Sequence, residues 1–487
     1  MRQYEDLGHM TPVRADQAAG DRVSYLPHHG VLREASSITK LRVVFNGSTT
    51  VLSGDSLNRS LLVGQNLLPP LADVLLRWRL SRYVLAIEKM YRQILVHPEN
   101  RDLQRILWRY HPQDEVMEYH LNTVTYGLAC APFLAMHTLL QLANDEAENY
   151  PLGARALRGK VYMDDILTGA STLEKACELQ RQLTGLCMAG FPLRKWSAND
   201  AAILADVPAE HRMQRDLVGI GGHTRRKGLL VCEATLTDVT KRSVLSFTAR
   251  LFDPLGWLAP VVVRAKIAFQ ATWLLGLAWD DPLDEAAARQ WHAYAEELPR
   301  LECIQVPRWL DVAWPADAAE IHGFADASER ANAAVLYMRT SVGDSWRTNL
   351  VAAKTKVAPL KTVLLPRLEL CAAALLAKLT SHVCSALSLD RLRIHLWSDS
   401  TVALGWIRGH PTRWKTFVAN RVADIQTRVP DALWHHVPGL KNPADCVSRG
   451  LSPEELVEHS LWWQGPPWLR TAPSTWPCDA AMPDEDG

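Results

Sequence analysis

Val161-Tyr162-Met163-Asp164-Asp165-Ile166-Leu167 sets two adjacent carboxylates between apolar residues. Neighbouring acids in an apolar setting repel each other unless a cation or a partner offsets them. The pattern predicts a tight β-hairpin with buried flanks, its turn offering Asp164 and Asp165 to Mg²⁺. An Asp-Asp pair alone is an ordinary solvated turn in most proteins, so the reading depends on what surrounds it.

Working outward, Pro132 to Asn149 and Leu173 to Met188 carry apolar residues at helical spacing on either side of the hairpin. Leu71 to Arg82 has the same spacing, and Tyr83 to Val96 reads as a strand followed by a turn. Lys40-Leu41-Arg42-Val43-Val44-Phe45 alternates and meets Asn46-Gly47, a hairpin signal. This order fits a small antiparallel sheet with helices on one face. Residues near 200 to 245 read as connecting strands, and 246 to about 300 as mostly helical.

Composition sets wide bounds. A chain of 487 residues holds three or four domains, each able to bury a core. Its 53 basic and 53 acidic residues cancel, so any nucleic-acid surface must be a local basic patch. The nine cysteines form no Cys-x-x-Cys pair, which indicates free thiols in a reducing, intracellular setting without a signal peptide. Arg264 and Lys266 interrupt the most apolar stretch, 258–279, which argues against a membrane span. The tryptophans of Ser460-Leu461-Trp462-Trp463-Gln464-Gly465-Pro466-Pro467-Trp468 suit packing of a Pro-rich tail against a domain better than stacking on bases.

A second acidic set follows a boundary at Pro315 to Ala318. Ile321-His322-Gly323-Phe324-Ala325-Asp326 is a strand ending in an acid, and two more strands follow. Pro366-Arg367-Leu368-Glu369 opens a long Ala/Leu helix, with Pro in its first turn. Ile394-His395-Leu396-Trp397-Ser398-Asp399 is another strand ending in an acid, and Asn442-Pro443-Ala444-Asp445 starts the last helix. Each acid alone reads as a cap or a solvated first-turn residue. Together, in the order strand end, helix, strand end, helix start, they resemble the ribonuclease H constellation.

Tyr-Met-Asp-Asp in turn resembles motif C of reverse transcriptases. Tyr83-Val84-Leu85-Ala86-Ile87-Glu88-Lys89-Met90-Tyr91-Arg92-Gln93-Ile94 looks like motif A of BEL/Pao LTR retrotransposon Pol polyproteins. Tyr126-Gly127-Leu128-Ala129-Cys130-Ala131-Pro132-Phe133 looks like motif B, where glycine would allow close approach to the template. Gly190-Phe191-Pro192-Leu193-Arg194-Lys195-Trp196 resembles the next motif, and Phe247 to Gly256 the segment that follows the polymerase. The family has aspartate where this chain has Ala86, so one metal ligand is missing from motif A. Glu88 lies about 6.6 Å further along a strand, and its longer side chain recovers only about 1.5 Å, too little to replace it. Asn46 is a further departure, at a position that is not a ligand.

The resemblance implies an α/β and α+β multidomain chain. Polymerase fingers would occupy 1–75 and the palm 76–200, followed by a connecting region at 201–315. A ribonuclease H-like mixed five-stranded sheet with helices would span 316–450, and a Trp/Pro-rich tail 451–487. It assigns Asp164, Asp165, Asp326, Glu369, Asp399 and Asp445 to metal binding and catalysis with Mg²⁺ or Mn²⁺. It places Lys40, Arg42, Tyr91 and Lys195 around the incoming nucleotide, and His436 of the Trp-x-His-Val-Pro pattern is taken as structural. Implied partners are an RNA template, a DNA primer, RNA/DNA hybrid and deoxynucleoside triphosphates, in the cytoplasm or a virus-like particle. No Asp-Thr-Gly or Asp-Ser-Gly marks an aspartic protease, and neither a protease upstream nor an integrase downstream is expected. The implied activity is hybrid cleavage with a disabled polymerase. The alternatives are a non-catalytic nucleic-acid-binding remnant of a decayed copy, and a fully active reverse transcriptase.

Overall fold

The hairpin at the centre of the sequence reading is present as β7 (Val161–Tyr162) and β8 (Asp165–Ala170) in the computed structural model. That structure describes residues 1–14, 22–32, 41–50, 54–88, 94–163, 165–188, 190–191, 193–213, 223–225, 239–312, 319–388 and 392–477. The chain divides into one unit of residues 1–70 and 83–217 and another of 71–82 and 218–487.

In chain order the first unit begins with the short helix α1 (Arg2–Asp6) and strands β1 (Met10–Pro12), β2 (His28–Leu32) and β3 (Leu41–Phe45). The short helix α2 (Leu57–Ser60) follows, and then α3 (Leu71–Arg79), which belongs to the second unit. The first unit resumes with β4 (Tyr83–Glu88), β5 (Arg105–Trp108), β6 (Met117–Leu121), and helices α4 (Ala131–Asp145) and α5 (Pro151–Gly159). After the hairpin come α6 (Leu173–Cys187) and β9 (Arg194–Ala198). The order β7-β8-β4-β9 makes a four-stranded antiparallel sheet. Apolar residues of α4, α5 and α6, including Leu139, Leu157 and Leu183, share a core with Leu85, Ile87 and Ile166 of the sheet. Thr172 starts α6 by accepting a hydrogen bond from the Lys175 amide.

The Asn46-Gly47 turn does not form the hairpin its sequence signals. β3 pairs backwards with β2, and Asn46 closes a local turn by accepting from the Ser48 amide at 3.0 Å. Between Ala198 and Thr240 the described residues hold two short 3₁₀ turns and the strand β10 (His223–Arg225), and the rest of the expected connecting strands, at 214–222 and 226–238, lies outside the described residues.

The second unit places helices α7 (Lys241–Arg250), α8 (Ala259–Ala271) and α9 (Glu285–Glu297) before β11 (Gln305–Pro307), which pairs with β10. Thr240 and Ser243 form a capping box on α7, and Asp253 accepts from the amides of Trp257 and Leu258 ahead of α8. A mixed sheet follows: β12 (Ala319–Ala327), β13 (Ala331–Val342), β14 (Ser345–Val357), β15 (Arg393–Ser398) and β16 (Leu433–His436), in the order β14-β13-β12-β15-β16. The first three strands are antiparallel, whereas β15 and β16 run parallel to β12. Helix α10 (Leu365–Leu387) lies between β14 and β15 in the chain, and α11 (Thr401–Arg408) and α12 (Thr416–Arg428) between β15 and β16. Three short helices, α13 (Asp445–Arg449), α14 (Pro453–Glu458) and α15 (Ser460–Gln464), end the unit, so the helix begun by Asp445 is not the last.

The helical region and the sheet share one core. Val244, Phe247, Val261, Ala265, Trp291 and Tyr294 belong to the same buried cluster as Phe324, Leu336, Leu376 and Trp397. The 315–318 boundary lies outside the described residues, and the core runs through on both sides of it. Helix α10 is long and apolar enough to cross a membrane by length and composition. Its most apolar window is 61% buried within the protein, as a core helix requires.

Two arginines fix α3 in this unit. Arg79, 2% exposed, donates to the carbonyls of Pro307, Arg308, Leu350 and Val351. Arg308 donates in return to the carbonyls of Trp78, Ser81 and Arg82. Burial and the neighbouring Arg308 charge lower Arg79 to about 9. The Trp-rich segment packs as read: Trp462 is fully buried and donates to the Trp257 carbonyl at 2.9 Å, and Trp468 lies 4.6 Å from Trp397 between ring centroids. Trp476 stands edge-on to His322 and His395, and Arg339 ties the segment down through the carbonyls of Leu469 and Thr471.

Candidate active site

The parallel pairing of β12 with β15 puts Ala325 opposite Ser398, so Asp326 and Asp399 leave neighbouring strands at the same edge of the sheet. Glu369, early in α10, completes the group: one ligand oxygen from each of the three acids lies within 4.8 Å of the others. Asp326 and Glu369 are buried, and Asp399 is half-buried. Asp445 sits at the first position of α13, its carboxylate 2.6 Å from Nε of Arg449. It borders the group closely enough for its charge to raise the proton affinity of Asp326, Glu369 and Asp399.

Electrostatics mark this as a strained cluster. Burial, with the charges of Asp399 and Asp445, pushes Asp326 up to about 7 against a hydrogen bond from Ser448 that pulls it down. Burial and the carboxylates of Asp326 and Asp399 push Glu369 up to about 9. Asp399 is raised by burial and by Asp445, with His436 acting in the opposite sense. Glu369 Oε2 and Asp399 Oδ1 are buried and accept no hydrogen bond within the protein. A divalent cation offers such oxygens what the protein does not, so hard oxygen donors of this kind fit Mg²⁺ or Mn²⁺.

Sequence reasoning missed the supports. The Ser448 hydroxyl donates to the Asp326 carboxylate, and Ser328 Oγ donates to the Ser448 carbonyl at 2.7 Å. Asn442, fully buried, donates to the Ala325 carbonyl and accepts from the Ala444 amide, which orients the entry to α13. Gly439 lies against Asp399, where a Cβ would stand 3.1 Å from Oδ2. The Asn-Pro-Ala-Asp stretch and the serine three residues after Asp445 were the available signals.

In the first unit, β4 lies between β8 and β9. Asp165 pairs with Glu88, while Ala86 pairs with Leu167 on one side and Ser197 on the other. Residues opposite each other in an antiparallel ladder share a face, so position 86 lies two residues from the partner of Asp165 on its face. Met163, just before the acids, has φ 57°, and Lys195 has φ 59° beside an irregularity in the β4–β9 ladder. Arg42 lies over the Tyr126 ring at 5.1 Å. Gly127, at φ 97°, makes its close approach within the protein: a Cβ there would meet the Phe45 carbonyl at 2.1 Å. Lys40, Tyr91 and Asp164 lie outside the described residues.

Residues 240–400 match the family described as Pao retrotransposon-like RNaseH-like domain. The match begins at the N-cap of α7 and ends just past Asp399, so it takes in the helical region as well as four strands of the mixed sheet. No curated protein matches the chain. Among solved structures, a foamy viral protease-reverse transcriptase in complex with RNA/DNA hybrid is similar over 91% of this chain, at 11% identity and a TM-score of 0.52. A second foamy viral protease-reverse transcriptase structure, in complex with double-stranded DNA, is similar over 89%, at 14% identity and a TM-score of 0.50. The chain spans 53% of the first of these proteins and 68% of the second, and the likeness is one of fold. The family match, over about a third of the chain, and the likeness of fold to reverse transcriptases support a Pao/BEL-type Pol protein.

Proposed function

We propose that this protein hydrolyses the RNA strand of RNA/DNA hybrids, with Asp326, Glu369, Asp399 and Asp445 holding two divalent cations, Mg²⁺ or Mn²⁺. The convergence of three acids within 4.8 Å carries the reading, reinforced by two buried carboxylate oxygens without donors. Bound cations would supply charge neutralisation and Lewis acidity at the scissile phosphate. Asp326 and Asp399 hold their positions through adjacent parallel strands, and Glu369 closes the group from α10. Ser448 fixes the rotation of the Asp326 carboxylate, and Arg449 holds Asp445. His436 ends β16 near Asp399.

The same reading makes the first unit a polymerase whose centre lacks one carboxylate. Fingers occupy 1–75, the palm 76–200, the connecting region 201–315, the nuclease 316–450 and the tail 451–487. Asp164 and Asp165 are its remaining metal ligands, and Lys40, Arg42, Tyr91 and Lys195 its nucleotide contacts. Its partners are an RNA template, a DNA primer and deoxynucleoside triphosphates. Ala86, on the strand face shared with Asp165, is the lesion.

The test is cleavage of an end-labelled RNA strand in a hybrid, with Mn²⁺ binding measured in parallel by calorimetry. Wild type should cut and bind, whereas Asp399→Asn should do neither while keeping its melting profile. Equal cleavage by both proteins, or none by wild type, would overturn the proposal.

A further inference from the structure

We infer that helix α8 is the platform that sets the position of the fourth carboxylate, Asp445, and that Gly450 is the contact through which it does so. The inference rests on the hybrid-hydrolysis reading. Helix α13 has five residues, too few to hold a helical conformation by propensity alone. Its placement must come from what it touches.

On the sheet side, Ser448 and Asn442 tie it to Asp326, Ser328 and Ala325. On the other side, the chain leaves α13 through Gly450 at φ 83°, and the Leu451 amide donates to the Pro260 carbonyl of α8 at 3.0 Å. The approach is close: a Cβ on residue 450 would stand 2.7 Å from Arg264 Cγ, 3.3 Å from the Pro260 carbonyl oxygen and 3.3 Å from Val263 Cγ1. All three atoms belong to one turn of α8. Pro260, Val261, Val263 and Ala265 are themselves buried, so this turn has little room to retreat. A side chain at 450 therefore displaces α13, and with it Asp445 and the Ser448 hydroxyl that holds Asp326. Gly450 and the α8 turn are positioning residues, since neither offers a ligand atom to the site. The helical region is in this sense part of the nuclease.

Gly450→Ala in the full chain is the test, with Gly276→Ala as its control. Gly276 has φ 66° and nothing within 4 Å of a built Cβ, so both changes impose left-handed strain but only one presses on α8. Metal binding is read by Mn²⁺ calorimetry without substrate, alongside the Mg²⁺ concentration for half-maximal hybrid cleavage. Gly450→Ala should weaken Mn²⁺ binding and raise the Mg²⁺ requirement, each about tenfold, the range seen when supports of metal ligands are lost. Gly276→Ala should leave both at wild-type values. Adding Arg264→Ala to Gly450→Ala removes the nearest clashing atom and should recover part of the loss, which distinguishes displacement from general misfolding. Wild-type metal dependence in Gly450→Ala, or an equal loss in Gly276→Ala, would overturn the platform. A wild type that neither binds Mn²⁺ nor cuts hybrid defeats the functional reading instead.

Discussion

The two acidic regions of this protein are built in opposite ways. In the second unit, Asp326, Asp399, Glu369 and Asp445 come from two strand ends and two helices, each held by its own buried packing. In the first, Asp165 and residue 86 lie on neighbouring strands of one four-stranded ladder. The ladder is indifferent to the side chain at 86, because its hydrogen bonds are made by the backbone and Ala86 pairs with Leu167 in register. On the proposed reading, the fold of the first unit therefore survives the loss of a ligand at 86. In the second unit the strain of clustered carboxylates is visible in the raised proton affinities of Asp326 and Glu369.

That contrast can be broken in four places, taken from the largest effect down. Asp399→Asn should lower hybrid cleavage by at least about 100-fold, since a ligand counts for more than the supports around it. Ala86→Asp should convert a silent polymerase into one that extends a primer on RNA with Mg²⁺, and leave hybrid cleavage unchanged.

Arg79→Ala sharpens the comparison through stability. Four backbone carbonyls lose their donor in a buried setting, so the second unit should lose about 3 kcal/mol in denaturant melts. Hydrogen exchange should place that loss in residues 319–388, with the four-stranded sheet of the first unit unaffected.

The smallest effect concerns the aromatic face of the mixed sheet. Burial, with the neighbouring His322 and His435, lowers His395 to about 4, below its ordinary 6.5. The folded state then binds fewer protons than the unfolded chain between these values, so stability falls as pH drops from about 6.5 to about 4. Trp476, edge-on to His395, should report this in metal-free melts by fluorescence, and His395→Gln should flatten the slope.

Much of this architecture was legible in the sequence because it depends on local rules. The hairpin at 161–170, the helices near 131–145 and 173–187, and the acids at strand ends all follow from periodicity and from the residues at element ends. Partners were not legible. Helical spacing over 71–82 predicts that one face of α3 is buried, and says nothing of the face it meets. Nothing in the sequence marks Arg79 and Arg308, whose carbonyl partners are brought together by the tertiary fold. At Gly127 no sequence signal points to the Phe45 carbonyl that a Cβ there would meet. The dependence of Asp445 on α8 was hidden for the same reason, since Pro260 and Gly450 are far apart in the chain and meet only in the folded unit.

The most direct measurement places both centres in one reaction: a labelled DNA primer on a labelled RNA template, with Mg²⁺ and all four deoxynucleotides. The account predicts that wild type shortens the RNA within the hybrid and leaves the primer at its starting length, and that Ala86→Asp does both. Primer extension by wild type comparable to Ala86→Asp, or RNA left intact by both proteins, would contradict it.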